Sequence, residues 1–331
     1  MVGRTGISSQ QKERSMSSIP IYRALEELPA DFGPSVVAIG NFDGVHLGHR
    51  EILSAVVAEA RVTGSKAVAV TFDPHPEHFF RLPTAPAILT PLPERMRLLA
   101  CCGLDAVLVL PFNAQLASLS AHEFARRILA DALHTSGVHE GGNFRFGEHA
   151  RAGVAELSAM GMGMGFSVQV HQPVRVRGLE VSSSAIRQHL LAGDLSRARW
   201  MLGRSFSVLS TQARGRGIGS RLLVPTVNLA EYEGLLPAFG VYVTRMTIGD
   251  RSFQAVTNVG NRPTFGAPSF AVESYILDFE PIEMTPETPI EQTFLFRLRG
   301  EMTWPSPEAL KTQIMKDISR ARRYFQKLDR K

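Results

Sequence analysis

The sequence predicts an α/β chain in two parts: a doubly wound parallel sheet, then an antiparallel β-barrel with a terminal helix. Three observations carry this. From residue 36 to about 174, short apolar runs alternate with stretches of helical periodicity, the pattern of strand–helix–strand units and a parallel sheet. From 205 to 300, alternating apolar stretches are punctuated by glycine and proline with no helical period between them, as in an antiparallel barrel or sandwich. Ser306-Pro307 then heads a run with Leu310, Ile314, Ile318, Ala321 and Phe325 at helical spacing, which reads as a cap followed by an amphipathic helix.

The elements follow in order. Val36–Ile39 reads as a strand, and 49–63 as a helix with Ile52, Leu53, Val56, Val57 and Ala60 on one face. Ala67–Phe72 is a strand, 93–102 a helix, Ala106–Leu110 a strand, 121–133 a helix and Gly137–His139 a short strand. A helix at 151–160 precedes a strand near Val168–Val170, and a further helix opens after Ser182 and stops near Gly193. The barrel strands are Phe206–Leu209, Val241–Met246, Phe253–Val259, Ser274–Phe279 and Thr293–Leu298. The expected domains are a disordered polar lead-in at 1–19, a sheet domain at 20–203 and a barrel domain at 204–331. A chain of 331 residues suffices for two cores.

Composition narrows the function. The net charge of +5 is mild and spread along the chain. That suits small anionic substrates and gives no basic, aromatic-interleaved surface for nucleic acid. No apolar run is long enough to span a bilayer, and the polar start lacks a signal-peptide core, so a cytoplasmic protein with no membrane partner is expected. The two cysteines, Cys101 and Cys102, are adjacent, which gives neither a disulfide framework nor metal-ligand spacing. Nothing in the sequence sets the oligomeric state.

The motifs sit beyond strand ends. Gly40-Asn41-Phe42-Asp43-Gly44-Val45-His46-Leu47-Gly48-His49 follows the first strand and opens a helix. Glycines allow close backbone approach, and free N–H groups at the helix start face an anion. His46 and His49, three residues apart, share one side of that turn and can donate to one phosphate. This is the arrangement for nucleotidylyl transfer; a surface histidine at a helix start is the bland alternative. Asp73-Pro74-His75-Pro76 and Gly142-Asn143-Phe144-Arg145-Phe146-Gly147 follow later strands, and parallel sheets bind ligands at that edge. Ser182, Ser183 and Ser184 with Arg187 suit a triphosphate clamp, although a serine before a helix is commonly only its cap.

These segments, together with Leu202-Gly203-Arg204, Pro225-Thr226-Val227-Asn228, Gly240-Val241-Tyr242, Asn258 to Phe265, Glu273 and Leu277-Asp278-Phe279, resemble the bacterial bifunctional riboflavin kinase/FMN adenylyltransferase (FAD synthetase) family from about residue 34 to 325. The resemblance implies that the first domain adenylylates FMN to FAD and the second phosphorylates riboflavin, with ATP, riboflavin, FMN and FAD as substrates or products and Mg²⁺ as cofactor. It implies ATP contacts from Gly40, Asn41, Phe42, Gly48 and Ser182 to Ser184, with His46, His49 and Arg187 acting on the phosphates. Flavin contacts fall to Asp73, His75, Asn143, Phe144 and Arg145. In the barrel it implies nucleotide contacts from Gly215, Gly217, Gly219 and Pro225, Mg²⁺ oxygens from Thr226 and Asn228, and Glu273 as the base. Taken alone, Thr226 reads as the start of an edge strand and Glu273 as a solvated carboxylate. The family usually has Gly-Phe before Pro-Thr, where this chain has Leu223 and Val224, and a Leu-Tyr-Gly segment where Glu280 to Ile290 stands here. Ser184 replaces the usual threonine. An adenylyltransferase carrying a silent barrel is the alternative reading.

Overall fold

A computed structural model describes residues 19–82, 84–213, 226–264, 267–280 and 284–330. Apart from residue 19, the expected lead-in lies outside them, as do Gly215, Gly217, Gly219, Pro225, Leu223 and Val224. The chain forms two compact units that are interleaved in sequence. The first takes residues up to 41 with 50–82 and 96–172, and the second takes 42–49, 83–95 and 173–331.

In the first unit, strands β1 (Ile21–Tyr22), β2 (Ser35–Ile39), β3 (Lys66–Asp73), β4 (Ala106–Pro111), β5 (Thr135–Gly141) and β6 (Ser167–His171) form one sheet. All pairs are parallel, in the order β1-β4-β3-β2-β5-β6. β2 reads Ser-Val-Val-Ala-Ile and is buried throughout, as a central strand covered on both faces must be. Its core gathers Val37, Ile39, Val68, Val70, Leu108 and Val138 with Ile128 and Leu129. Helices α1 (Leu47–Thr63), α2 (Leu92–Ala100) and α3 (Val154–Met164) alternate with the strands. The expected helix at 121–133 is helical but not uniformly α. Ala121–Phe124 is α, and Ala125–Ala132 widens to π turns with Leu133 N bonded to Ile128 O. Over eight residues the apolar spacing cannot tell the two windings apart.

In the second unit, β9 (Phe206–Ser210), β10 (Thr226–Asn228), β11 (Gly240–Ile248), β12 (Arg251–Thr264), β13 (Ala267–Ile276) and β14 (Ile290–Gly300) form an antiparallel sheet in the order β10-β13-β12-β11-β14-β9. Beyond β9, Ala230 N donates to Thr211 O and Ala213 N to Asn228 O, both at 2.9 Å. These bonds join the two edges and remove the exposed backbone that an open sheet would carry. Between the preceding β6 and β9 lie a two-stranded ribbon, β7 (Arg175–Val176) with β8 (Leu179–Glu180), and helices α4 (Ser183–Leu191) and α5 (Leu195–Leu202). Ile186, Leu190, Ala198, Met201 and Leu202 of these helices share one core with Phe206, Tyr242, Met246 and Phe294 of the barrel. That shared core is why 173–203, expected with the sheet, packs within the second unit.

Four fully buried polar side chains sit inside this unit: Thr244, Thr257, Ser274 and Gln292. Thr257 Oγ1 lies 2.6 Å from Thr244 Oγ1 and 2.8 Å from Ser274 Oγ, and Gln292 Nε2 donates to it at 3.0 Å. Ser274 Oγ in turn donates to Gln292 Oε1 at 3.2 Å. Each member has a partner, so the network fixes register instead of costing stability. The terminal helix, α6 (Pro307–Leu328), is capped by Ser306 as expected, with Ala309 N donating to Ser306 Oγ. Its expected face is only half right. Ile318, Ala321 and Phe325 are buried against Val241, Val243 and Leu298, while Leu310 and Ile314 are 39% and 37% exposed. The first turns carry the apolar period but leave it exposed.

That difference is measurable. Phe325→Ala should destabilise the protein by about 3–5 kcal/mol, the usual cost of emptying a buried phenylalanine site. Leu310→Ala should cost under about 1 kcal/mol, as surface changes do. Urea unfolding of the two variants reads the contrast.

Candidate active sites

Residues 42–49 form the first site cluster, within the second unit. Phe42, Gly44 and Val45 have φ of 47°, 89° and 36°, the left-handed region that a β-branched valine tolerates least. Asp43 holds the loop there. Its carboxylate is 2% exposed and accepts hydrogen bonds from Leu89 N and Thr90 N, both at 2.9 Å, and from Thr90 Oγ1 at 3.2 Å. It also pairs with Arg187 Nη2 at 2.6 Å. The Asp43 carbonyl accepts from Ser183 Oγ at 2.8 Å, and Gly44 N donates to Thr90 Oγ1 at 2.9 Å. Arg204 donates to Gly44 O at 2.9 Å and Val45 O at 3.2 Å.

The two histidines then stack, with ring centroids 3.6 Å apart and planes at 15°. His46 Nδ1 accepts the His49 N–H at 3.2 Å. His46 thereby caps the first turn of α1, a task usually left to serine or aspartate. A Cβ at position 48 would lie 3.2 Å from the His46 ring, so glycine there gives the ring its place. Because Nδ1 is the acceptor, the proton of neutral His46 sits on Nε2, which becomes a donor. Burial lowers the His46 pKa to about 4, against a smaller opposing pull from Asp43. Burial also lowers His49, helped by its neighbour His46. Its Nδ1 is sealed from solvent and has no hydrogen-bond partner among the described residues. Both rings are therefore neutral at pH 7 and present N–H groups, not full charges.

At the start of α4 the serines have local duties. Ser182 Oγ accepts from Ala185 N at 3.2 Å, a helix cap, and Ser183 is taken by the Asp43 carbonyl, while Ser184 is exposed. Arg187, besides Asp43, donates from Nε to Ala87 O at 2.8 Å.

In the first unit, the ends of β2, β3 and β5 carry a second cluster. Asn41 Nδ2 lies 2.9 Å from His75 Nε2, and Thr71 Oγ1 donates to Asn41 O at 3.3 Å. Asp73 and Asn143 are exposed, and Arg145 Nη1 bonds Phe144 O at 2.9 Å. Phe144 stacks on Phe146 with centroids 5.4 Å apart. Phe72, Phe79 and Phe80 each meet Phe112 edge to face, at 5.8, 5.5 and 5.8 Å.

The third cluster lies on the barrel. Asn228 of β10 and Asn258 of β12 are both register partners of Glu273 on β13. Thr226 Oγ1 donates to Glu273 Oε1 at 3.0 Å. Its hydroxyl lone pairs remain for a cation. Among the described residues no group of three or more His, Cys, Asp or Glu could hold a metal. The neutral oxygens of Thr226 and Asn228 instead fit a magnesium ion that takes most of its ligands from phosphates and water.

Comparison with known proteins follows the same division. A family model for FAD synthetase matches residues 28–185, and one for riboflavin kinase matches 202–325. A bifunctional riboflavin kinase/FMN adenylyltransferase from Pseudomonas fluorescens is 36% identical, covering 91% of this chain and 96% of that one. The protein of that name from Escherichia coli K12 is 33% identical, covering 88% and 92%. The chain belongs to the bifunctional riboflavin kinase/FMN adenylyltransferase family. A solved structure described as a macrolide-efflux protein from Streptococcus pneumoniae has the same fold, with a TM-score of 0.81 at 26% identity over 92% of this chain and 99% of that one. Among the described residues no helix is long and apolar enough to cross a membrane.

Within this family frame, the sequence reading named His46, His49, Thr226, Asn228 and Glu273, and each histidine and barrel residue meets a companion. It missed Asp43, Thr90, Arg204 and the phenylalanines around Phe112. Asp43 was visible only as an acid inside a glycine-rich, apolar loop. Its partners lie 46 to 144 residues away.

Two outcomes follow for stability. Asp43→Ala strands the buried Arg187 charge and two backbone N–H groups, so it should cost about 3–5 kcal/mol in chemical unfolding, and Asp43→Asn less. His46 is harder to protonate in the fold than in the unfolded chain, so its contribution is present above pH 6.5 and is lost as pH falls to about 4. That loss amounts to roughly 3 kcal/mol. Thermal melts across this interval should show Tm falling on the acid side, and His46→Asn, which keeps a capping oxygen, should flatten the fall.

Proposed function

We propose that this chain makes FAD in two steps, phosphorylating riboflavin with ATP and then adenylylating FMN with a second ATP. The carrying observation is that both family models match, in order, across the chain, and that relatives named for both activities match it over nearly their whole length. We assign the adenylyl transfer to residues 20–203 and the kinase step to 204–331.

In adenylyl transfer an FMN phosphate oxygen attacks the α-phosphorus of ATP, one P–O bond forms, and the bond to the leaving pyrophosphate breaks. No covalent protein intermediate is required, so the protein's task is positioning and charge stabilisation. Neutral His46 and His49 suit this as fixed N–H donors on the phosphates, with Gly40, Asn41, Phe42 and Gly48 lining the ATP. Ser184 and the N–H groups opening α4 face the pyrophosphate, which is where a helix N-terminus favours an anion. Arg187 acts largely through Asp43, by holding the histidine loop. Asp73, His75, Asn143, Phe144 and Arg145 take the flavin, and the phenylalanines around Phe112 offer aromatic faces to its flat ring.

In the kinase step the ribityl hydroxyl attacks the γ-phosphorus of ATP, and Glu273 takes its proton. The Thr226 hydrogen bond orients that carboxylate. Mg²⁺, held by Thr226 and Asn228, would neutralise the nucleotide phosphates. Gly215, Gly217, Gly219 and Pro225 are assigned to the nucleotide on the motif alone. We further propose a cytoplasmic enzyme with small-molecule substrates and no nucleic-acid or membrane partner, in keeping with its diffuse charge.

Assays with purified protein, ATP and Mg²⁺ separate the halves. His46→Ala and His49→Ala should each lower FAD formation from FMN by about 10²–10³ and spare FMN formation, the usual loss for one preorganised donor. Glu273→Gln should lower FMN formation from riboflavin by about 10²–10⁴ and spare FAD formation. If the unmutated protein forms FAD from FMN but no FMN from riboflavin, the barrel is silent and the kinase assignment falls.

A further inference from the structure

The sheet of the first unit splits at one place. β2 and β5 pair at Ser35–Thr135, Val36–Gly137 and Val37–Val138, and then stop. β2 continues beside β3 to Ile39–Val70, and β5 continues beside β6 to Gly141–His171. The chain runs outward from this gap in both directions, to β3 and β4 on one side and to β6 on the other. Such a switch point opens a crevice at the carboxyl ends of the strands, where ligands of these sheets bind.

One ionisable side chain bridges the split. Glu140 is 4% exposed, and its Oε1 accepts the Ile39 N–H at 2.6 Å. It thus replaces the ladder bond that the diverging backbones can no longer make. The next residues on either side, Gly40-Asn41 and Gly141-Gly142-Asn143, belong to the segments already assigned to ATP and flavin. We infer that Glu140, bridging the split, is the floor of the substrate crevice and donates a hydrogen bond from its second carboxyl oxygen to a phosphate oxygen of the bound substrate. This rests on the adenylyl-transfer reading above.

The surroundings favour the uncharged form of the carboxyl. Burial raises its pKa well above the usual carboxylate range, and the Ile39 N–H offsets only part of this. Among the described residues no basic partner answers it from the elements packed nearby. β2 has no ionisable residue. On β6, His171 is bonded to His139 at 2.9 Å, and His139 in turn to Glu59 of α1 at 2.9 Å. Arg126, Arg127 and Asp131 of the 125–132 turns are exposed, and Glu156 of α3 caps Gly153 N at 2.8 Å. An ionised Glu140 would stand against an anionic substrate; a protonated one shares its proton with it. Raising the pH through its elevated pKa should therefore weaken substrate binding.

The test measures kcat and KM for FMN and for ATP in FAD formation between about pH 6 and pH 9.5, a span that covers the range of buried carboxyls. Circular dichroism at each pH monitors the fold. Glu140→Gln retains an oxygen for Ile39 and a permanent N–H donor. Its KM should stay constant from the acid to the alkaline end, whatever its absolute value. The wild type should there lose about tenfold in KM for whichever substrate bears the contacted phosphate, the scale of one charge-linked hydrogen bond. The two KM series decide between FMN and ATP. Infrared difference spectra of the wild type, with FMN and then ATP added, provide a readout independent of any variant. A protonated-carboxyl band should shift with one of them. Identical pH profiles in the two proteins, or no carboxyl band that responds to either substrate, overturns the inference. No FAD from the wild type at any pH would overturn the adenylyl-transfer reading as well.

Discussion

The buried carboxylate of Asp43 is the constraint on which the histidine loop depends. One group satisfies two backbone N–H donors, one hydroxyl and one guanidinium. Burying a carboxylate is unfavourable unless it is fully paired, and here the pairing draws two distant segments to the loop. Residues 42–46, 87–90 and the start of α4 are joined because each supplies something that Asp43, or its carbonyl, requires. This explains why 42–49 and 83–95 pack within the second unit even though the chain around them belongs to the sheet. Left-handed φ values at Phe42 and Val45 are maintained by the same bonds.

The histidine pair depends on that loop. With Ser183 and Arg204 holding the carbonyls of 43–45 and Thr90 the Gly44 N–H, His46 arrives at the helix start in a position to cap it. Capping sets the tautomer, and the tautomer sets which nitrogen donates. Burial then removes the charge that an exposed histidine would gain in mild acid. The result is a pair of oriented dipoles, which suits the proposed role of stabilising developing phosphate charge without reorganisation. The barrel reaches a similar end by different means. There, register places Asn228 and Asn258 beside Glu273, and the threonine one side-chain period along β10 supplies the orienting hydrogen bond.

Much of this was legible in the sequence because it is local. Strands β2 to β6, β9, β11, β12 and β14 announce themselves by apolar period, whereas β13 runs Ala267–Ile276 and ends before the expected Phe279, and three-residue β10 carries no period. α1 and α6 are marked by amphipathic spacing, and Ser306 by its place before proline. The histidine spacing is local as well. The two-residue strands β1, β7 and β8 were not legible, since two residues carry no period. The exposed face of Leu310 and Ile314 was not legible either, because periodicity reports which residues could be buried and not where a partner surface ends.

By itself the sequence determined the α/β and barrel architecture, the histidine pair, the barrel carboxylate with its threonine and asparagine, and the family. Each follows from residue types at short spacing or from ordered motifs. Only the tertiary structure decided that Arg187 and Ser183 serve Asp43, and that burial favours the neutral form of both histidines. It also decided that the sheet splits between β2 and β5 with Glu140 across the gap. These depend on contacts between residues about a hundred or more positions apart and on burial. A hydrogen-bond partner at that distance leaves no periodic trace in one chain, and desolvation exists only once the surrounding elements have closed around the group.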